Sequence, residues 1–498
     1  MMNYQSTRSA ALQANALQAV LQGLAPDGGL YTMPDPSQLR PDLDAILALP
    51  PMEMASAILD TLLPDYGSAC MRSLTEKAYA GKFETPELTP LVPVGENYVL
   101  ELFRGPTSAF KDVALSMLPQ LLSEAKRRLG VQEEILILTA TSGDTGKAAM
   151  AGFRDVPGIR IIVFYPENGV SPVQKAQMVT QEGRNVRVCA VKGNFDDAQS
   201  AVKRIFDAEA HEHLFAQRGV RLSSANSINI GRLAPQVVYY FRAYAELLHA
   251  GRIACGDKVH FSVPTGNFGD ILAGWLAKQL GLPVGTLVCA SNENNVLTEF
   301  LQTGRYDRRR PFHQTVSPSM DILISSNLER LLFLMSRDEA LVAGLMEQLR
   351  RDGVYTVPAE LKQKLDRDFF AACCTDEATR KTIGEVWQKD RYLMDTHTAV
   401  AWNAAQAFRR ESGSAAPMVV LSTASAYKFP RAVLEGLGQT PAGDDFAVME
   451  QLHALTGVPV PGNLSALQGK PVLHTDVQAP EALLSYVLSQ AEDAAWNR

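Results

Sequence analysis

From about residue 135 onward, short β-branched apolar runs alternate with helical segments. The runs are EILILTA (134–140), IRIIVFY (159–165), VRVCAV (186–191), VHFSV (259–263), GTLVCAS (285–291) and MVVLST (418–423). Each is nearly continuous in apolar residues, a pattern that suits a strand whose sheet is covered on both faces. Such strands, alternating with helices, predict α/β architecture with parallel sheets. At 498 residues the chain exceeds one ordinary core, so two or three domains are expected.

Residues 1–95 read as mostly helical with short loops, and GLAPDGGLY (23–31) reads as a turn. The Pro- and Thr-rich stretch TPELTPLVPVGENY (85–98) predicts a domain boundary, and residues 330–395 read as charged helices. Lys plus Arg number 47 against 54 Asp plus Glu, a net −7, so no basic surface points to nucleic acid or acidic lipid. The six cysteines form no C-x-x-C pair and read as buried, reduced thiols. No run of eighteen apolar residues occurs, and MMNYQSTRSA lacks an apolar targeting core, so a cytoplasmic, non-membrane protein is expected. His211 and His213 would point apart on a helix and other metal spacings are missing, so no metal site is expected.

Three strand-to-helix junctions stand out, because ligands of open α/β sheets gather at the carboxyl ends of strands. In ILILTATSGDTGKAA a strand runs into small residues that expose amides at a helix N-terminus; the alternative reading is an ordinary cap. In VHFSVPTGNFGDILAG, Gly266 and Gly269 let backbone approach an anion, and a plain tight turn is the alternative. In MVVLSTASAYKF, Ser422 and Thr423 end the strand, and Lys428 reads as a solvated charge. A fourth stretch, RGPTSAFKDVAL (104–115), sets Lys111 where a Gly-Pro turn gives way to a helix. A lysine there would suit a Schiff base with a carbonyl cofactor, the glycine loop its phosphate, and a strand-end hydroxyl its ring nitrogen.

The chain closely resembles the threonine synthase family, within the fold-type-II (tryptophan-synthase-β-like) pyridoxal phosphate enzymes. The resemblance runs through NYQSTR, GLAPDGGLY, ELFRGPTSAFKD, TATSGDTGKAA, SPVQKAQM, GNFDDAQ, NSINIGR, PTGNFGD, SSNLER, DTHTAVA and STASAYKF. It implies an α/β, fold-type-II architecture with parallel-type sheets in a large and a small domain, plus a mostly helical N-terminal domain. The corresponding bounds are 1–95 for the N-terminal domain, 96–130 with 231–498 for the large cofactor domain, and 131–230 for a smaller mobile domain. The implied reaction turns O-phospho-L-homoserine and water into L-threonine and phosphate, with pyridoxal 5'-phosphate as cofactor and a monomer or homodimer as the assembly.

By the same resemblance Lys111 carries the cofactor and is catalytic, with Phe110 beside it. Gly266, Asn267, Phe268 and Gly269 hold the cofactor phosphate, Asp270 follows them, and Thr423 meets the ring nitrogen. Thr141, Ser142, Gly143, Asp144 and Thr145 take the substrate's α-carboxylate, and Asn226, Ser227 and Asn229 complete the substrate site. Arg232 and Arg104 are the candidate cations for the substrate phosphate, and His397 is placed near the site. Asp144 stands where related enzymes donate to the cofactor's O3′; an ionised carboxylate cannot donate, which leaves Asn226 or Asn229 for that task. Ser425 and Arg104 stand where the family usually has histidine, which bears on substrate choice. A phospho-lyase acting on a related phosphorylated amino acid or amino alcohol, and a non-catalytic metabolite-binding relative, are the competing readings.

Overall fold

The computed structural model describes residues 3–167 and 169–493, without the side chain of Asp196; the outermost domain bounds, 1 and 498, lie outside these residues. Two largely parallel sheets organise the chain. The larger has the strand order Phe369–Cys373, Val284–Ser291, Val259–Pro264, Met418–Ser422, Asn97–Glu101, Leu91–Val94. All its neighbours pair in parallel except the last two strands, which form an antiparallel hairpin. The smaller is parallel throughout, in the order Asp476–Gln478, Val186–Val191, Ile159–Pro166, Glu134–Ala140, Val220–Ser223.

The continuous apolar runs have the expected cause. Along Glu134–Ala140 and Ile159–Pro166, Ile135, Ile137, Ile161 and Val163 join the main core, whereas Leu136, Leu138, Ile162 and Phe164 enter a separate cluster on the opposite face. Helices Phe195–Glu212 and Leu483–Glu492 cover that second face through Ala198, Ile205, Leu483 and Val487. Burying each large aliphatic residue there contributes about 1.5–3 kcal/mol.

The N-terminal region has its expected helices, with a small antiparallel sheet of Tyr4–Ser6, Ser9–Ala14 and Tyr31–Thr32 beside them. Two expectations need correction. The boundary at residue 95 cuts a hairpin, because Leu91–Val94 pairs with Asn97–Glu101 and so belongs to the large sheet. The small domain is not confined to 131–230. Asp476–Gln478 returns to edge its sheet against Val186–Val191, and Leu483–Glu492 packs on the helix Phe195–Glu212. That edge strand is three residues, two of them exposed, too short and polar for any periodicity to reveal.

Among the described residues, no helix is long and apolar enough to cross a membrane. The strands Glu134–Ala140, Val259–Pro264 and Met418–Ser422 all end beside one cavity, which places Thr141, Thr265 and Thr423 on its wall.

Candidate active site

The turn before Lys111 is shaped by crowding. A Cβ on Gly105 would stand 2.5 Å from that of Asp112. The buried Asp112 carboxylate accepts the Thr107 amide and hydroxyl at 2.8 and 2.5 Å. Phe110 N–H donates to the Thr423 carbonyl at 2.8 Å and Ser425 N–H to that of Ser108 at 3.2 Å, so the helix Lys111–Arg128 starts against the end of the Met418–Ser422 strand. Lys111 is only 9% exposed. Its Nζ lies 4.7 Å from the Phe110 ring centroid and 3.9 Å from Asp144 Oδ2. Burial, reinforced by nearby Arg232 and Lys428, outweighs Asp144 and Asp270 and pulls the ammonium pKa down to about 8. A solvated lysine would hold its proton near neutral pH; this one is poised to release it.

In the T-S-G-D-T-G loop, Thr141 Oγ1 accepts the amides of Gly143 and Gly146 at 3.0 and 2.9 Å. Gly143 has φ +129°, and a Cβ there would overlap the Gln174 side chain at 2.4 Å. The cap residue of the helix Asp144–Phe153, Gly143, has no side chain to offer, and Thr141 caps the first turn instead, through Gly146 N–H. The amides of Ser142, Asp144 and Thr145 still donate to no described protein group, so capping leaves three amides available.

In the second loop Phe268 adopts a left-handed conformation, φ +60°, at the start of the helix Gly269–Gln279. Its carbonyls are turned away: Ser325 Oγ donates to Gly266 O at 2.8 Å, and Asn327 N–H and Nδ2 donate to Asn267 O at 3.0 and 3.1 Å. The amides of Gly266, Asn267, Phe268 and Gly269 meet no described acceptor. A Cβ on Gly266 would sit 3.0 Å from the Ser319 carbonyl. Asp270, next in line, accepts Tyr239 and Tyr240 hydroxyls on Oδ1 at 2.5 and 3.0 Å. Its Oδ2 is buried without a partner, and burial pushes the carboxyl up to about 6 against those donors and Lys111.

The third loop brings the main surprise. Lys428, expected to be a solvated charge, is fully buried, with Nζ 2.5 Å from Asp144 Oδ1 and 3.2 Å from the Thr107 carbonyl. Asp144 also accepts Gln174 Nε2 at 2.8 Å on Oδ1 and Ser319 Oγ at 3.2 Å on Oδ2. Burial alone would raise its pKa; Lys428 and then Lys111 overcome this and hold the carboxyl well below the usual range. Asp144 is thus an acceptor hub, as its ionised state required. Thr423 lines the cavity with a hydroxyl bonded to no described residue, whereas Ser422 is fully buried and accepts Thr398 Oγ1 at 2.9 Å.

These elements enclose a cavity of about 570 Å³. Phe110, Lys111, Thr141, Ser142 and Thr145 line one side, and Gly266 through Asp270 with Thr423 line another. Asn226, Ser227 and Arg232 complete the wall. Gly143 and Asp144 stand behind it. Arg232 is buried; its Nη1 donates to the Ala225 carbonyl at 2.7 Å, Nη2 lies 3.5 Å from Thr145 Oγ1, and Nε has no partner.

Two expected site residues lie elsewhere. Arg104 does not line the cavity; Glu101 and Glu84 hold it at 2.7 and 3.1 Å. Asn229 caps the helix Ile230–His249 through Gly231 N–H at 2.9 Å and donates to Val20 O at 2.9 Å, so it is a structural cap. Asn226 alone of the two asparagines faces the cavity. His397 does line it, and is also satisfied: Nε2 accepts Ser319 N–H at 3.1 Å, which leaves Nδ1–H for Asp395 at 2.8 Å.

Residue-by-residue reading also missed Arg330. Fully buried, it donates to the carbonyls of Tyr31, Ser227 and Ile228, and so ties the GLAPDGGLY, NSINIGR and SSNLER segments together.

Comparison with known proteins agrees with this geometry. Residues 84–424 match the family described as pyridoxal-phosphate dependent enzyme, residues 3–79 the threonine synthase N terminus, and residues 398–479 the threonine synthase C-terminal region. A threonine synthase of Pseudomonas aeruginosa is 41% identical over 446 residues, 89% of this chain and 92% of that one. Threonine synthase-like 1 of Homo sapiens is 39% identical over 84% of this chain, which spans only 58% of that longer protein. The crystal structure of a pyridoxal phosphate-bound threonine synthase from Brucella melitensis superposes with a TM-score of 0.85 at 37% identity, covering 99% of this chain and all of that one. With its motifs, fold and cavity all in agreement, this chain belongs to the threonine synthase family of pyridoxal-phosphate-dependent enzymes.

Proposed function

We propose that this chain converts O-phospho-L-homoserine and water to L-threonine and phosphate, using pyridoxal 5'-phosphate. The observation that carries the reading is Lys111: a buried amine of lowered basicity where three strand-end loops converge on one cavity. The residues present fit the cofactor. Four unengaged amides at 266–269 suit its phosphate, the unpartnered Thr423 hydroxyl suits its ring nitrogen, and Lys111 Nζ suits its aldehyde. When bound, the cofactor supplies an electron sink for charge developing beside the substrate's α-carbon.

The chain's own groups do the rest. The amides of Ser142, Asp144 and Thr145 bind the α-carboxylate at a helix N-terminus. Lys111 Nζ takes the α-proton and returns protons along the substrate carbon chain, a task suited to an amine whose pKa lies near the working pH. Arg232 receives the phosphate: a buried guanidinium with an unpartnered Nε–H gains most from an anion. Thr423 is a neutral partner for the ring nitrogen and leaves it largely unprotonated, which favours elimination over transamination. The setting we infer is cytoplasmic, with a small phosphorylated amino acid as partner and a monomer or homodimer as the assembly.

The test is a product assay with O-phospho-L-homoserine on protein reconstituted with pyridoxal phosphate. Equimolar phosphate and threonine are expected. Phosphate accompanied by a keto acid and ammonia would instead identify a lyase, and no phosphate release would sink both readings.

A further inference from the structure

Two lysines, one of them on the cavity wall, compete for one carboxylate behind it. Asp144 belongs to the small domain, at the first turn of Asp144–Phe153, while Lys111 and Lys428 both belong to the large one. Lys428 has taken Oδ1 at 2.5 Å; Lys111 stands 3.9 Å from Oδ2, beyond a direct hydrogen bond. Ser319 Oγ occupies the Oδ2 side and Gln174 Nε2 the Oδ1 side, so the carboxylate is anchored by three donors that are not Lys111. Among the described residues Asp144 is the one carboxylate in ion-pair contact with Lys428, and Asp112 is engaged by Thr107.

The arrangement has a chemical consequence. An amine paired directly with a buried carboxylate stays an ammonium and has no lone pair to offer an aldehyde. An amine held just short of that pairing, in a buried site, loses its proton more easily. We propose that Lys428 is a positioning residue: it claims the Asp144 carboxylate and so keeps the Lys111 amine from being locked in an ion pair, free to capture the cofactor. This rests on Lys111 being the cofactor-bearing amine, as proposed above. The other charged groups facing Lys111 are Arg232 from the helix Ile230–His249 and Asp270 from the helix Gly269–Gln279, and neither variant below alters them.

The experiment uses full-length cofactor-free protein mixed with pyridoxal phosphate, and follows the rate of appearance of the borohydride-sensitive visible band as pH is varied. For Lys428→Met, Asp144 is released to pair with Lys111, and the pH midpoint of capture should rise by about 1 unit or more. Lys428→Arg keeps the cation and should leave the midpoint unchanged. Asp144→Asn combined with Lys428→Met removes both the competitor and the prize, so its midpoint should fall back to or below that of the unaltered protein. Where Lys428→Met fails to fold, Lys428→Gln, which keeps a hydrogen-bond donor for Asp144 but not the charge, takes its place and should raise the midpoint in the same direction. If Lys428→Met or Lys428→Gln folds and its midpoint does not move, or if the double variant keeps the raised midpoint of the single one, Lys428 is not acting on Lys111 through Asp144 and the inference falls. Failure of the unaltered protein to form the band at all would instead overturn the assignment of Lys111 itself.

Discussion

At the scale of single residues the site is a set of polar groups, several of them left without a described protein partner. Lys111→Ala should preserve secondary structure by circular dichroism and lower threonine formation by at least about a thousandfold; a variant retaining a tenth of the rate would show that the lysine is not the reactive amine. Arg232→Ala should raise KM for O-phospho-L-homoserine about ten- to a hundredfold, as loss of a charge-assisted contact requires. A slow side reaction with serine should be nearly untouched, and equal losses on both substrates would make Arg232 structural through its bond to Ala225. Asp270 gives a pH test. Its folded pKa, about 6, lies above the ordinary 3.8, so the folded protein holds more protons than the unfolded one between those values. Stability of the cofactor-free protein should therefore fall as pH rises from about 4 to 6, by about 2–3 kcal/mol from this group, and then level off. Asp112, also raised to about 6, adds a second contribution of the same sign. Asp270→Asn keeps an acceptor for Tyr239 and Tyr240 and should remove its share; unchanged urea midpoints across the window would refute the assignment. Much of this was legible in the chain itself, since Lys111, the 266–269 loop and Thr423 lie in local motifs whose neighbours dictate their geometry. Lys428 was not legible. Nothing near it in sequence distinguishes it from a solvated lysine, because its partner Asp144 is supplied by a different domain.

Among elements, the decisive contact is between the helices Lys111–Arg128 and Asp144–Phe153. They approach so closely that a Cβ on Gly152 would lie 1.9 Å from the Leu115 carbonyl oxygen, a backbone atom that cannot swing aside. Gly152→Ala should destabilise the protein by about 1–3 kcal/mol or more, which thermal melts would read. A variant with the original melting temperature would mean that the two helices slide without cost. The same scale explains which elements the sequence disclosed. The six apolar runs emerged within a residue of their expected bounds, because strands covered on both faces cannot hide their composition. Phe369–Cys373 went unseen, since FFAAC between two charged helices carries no period of its own and becomes a strand only beside Val284–Ser291. Leu91–Val94 was lost in a Pro-rich stretch that reads as a linker, yet a proline is tolerated on a sheet's last strand.

For the whole molecule, the active cavity is a seam between two sheets, and the chain crosses that seam more than once. Removing residues after 475 would strip Asp476–Gln478 from Val186–Val191 and uncover the cluster that Leu483 and Val487 seal. Such a truncation should raise amide exchange in Val186–Val191 and the helix Phe195–Glu212 while leaving Val259–Pro264 protected; uniform protection throughout would show that the returning segment is dispensable. The expected bounds of the small domain failed here for a physical reason: a three-residue edge strand owes its existence to the sheet it joins. That returning strand also sets a schedule. A ribosome releases the other four strands of the small sheet early, yet the Val186–Val191 edge stays unpaired until every strand of the large domain has been made. During that interval the nascent chain carries an open β-edge in search of a partner, and a crowded cell offers many wrong ones.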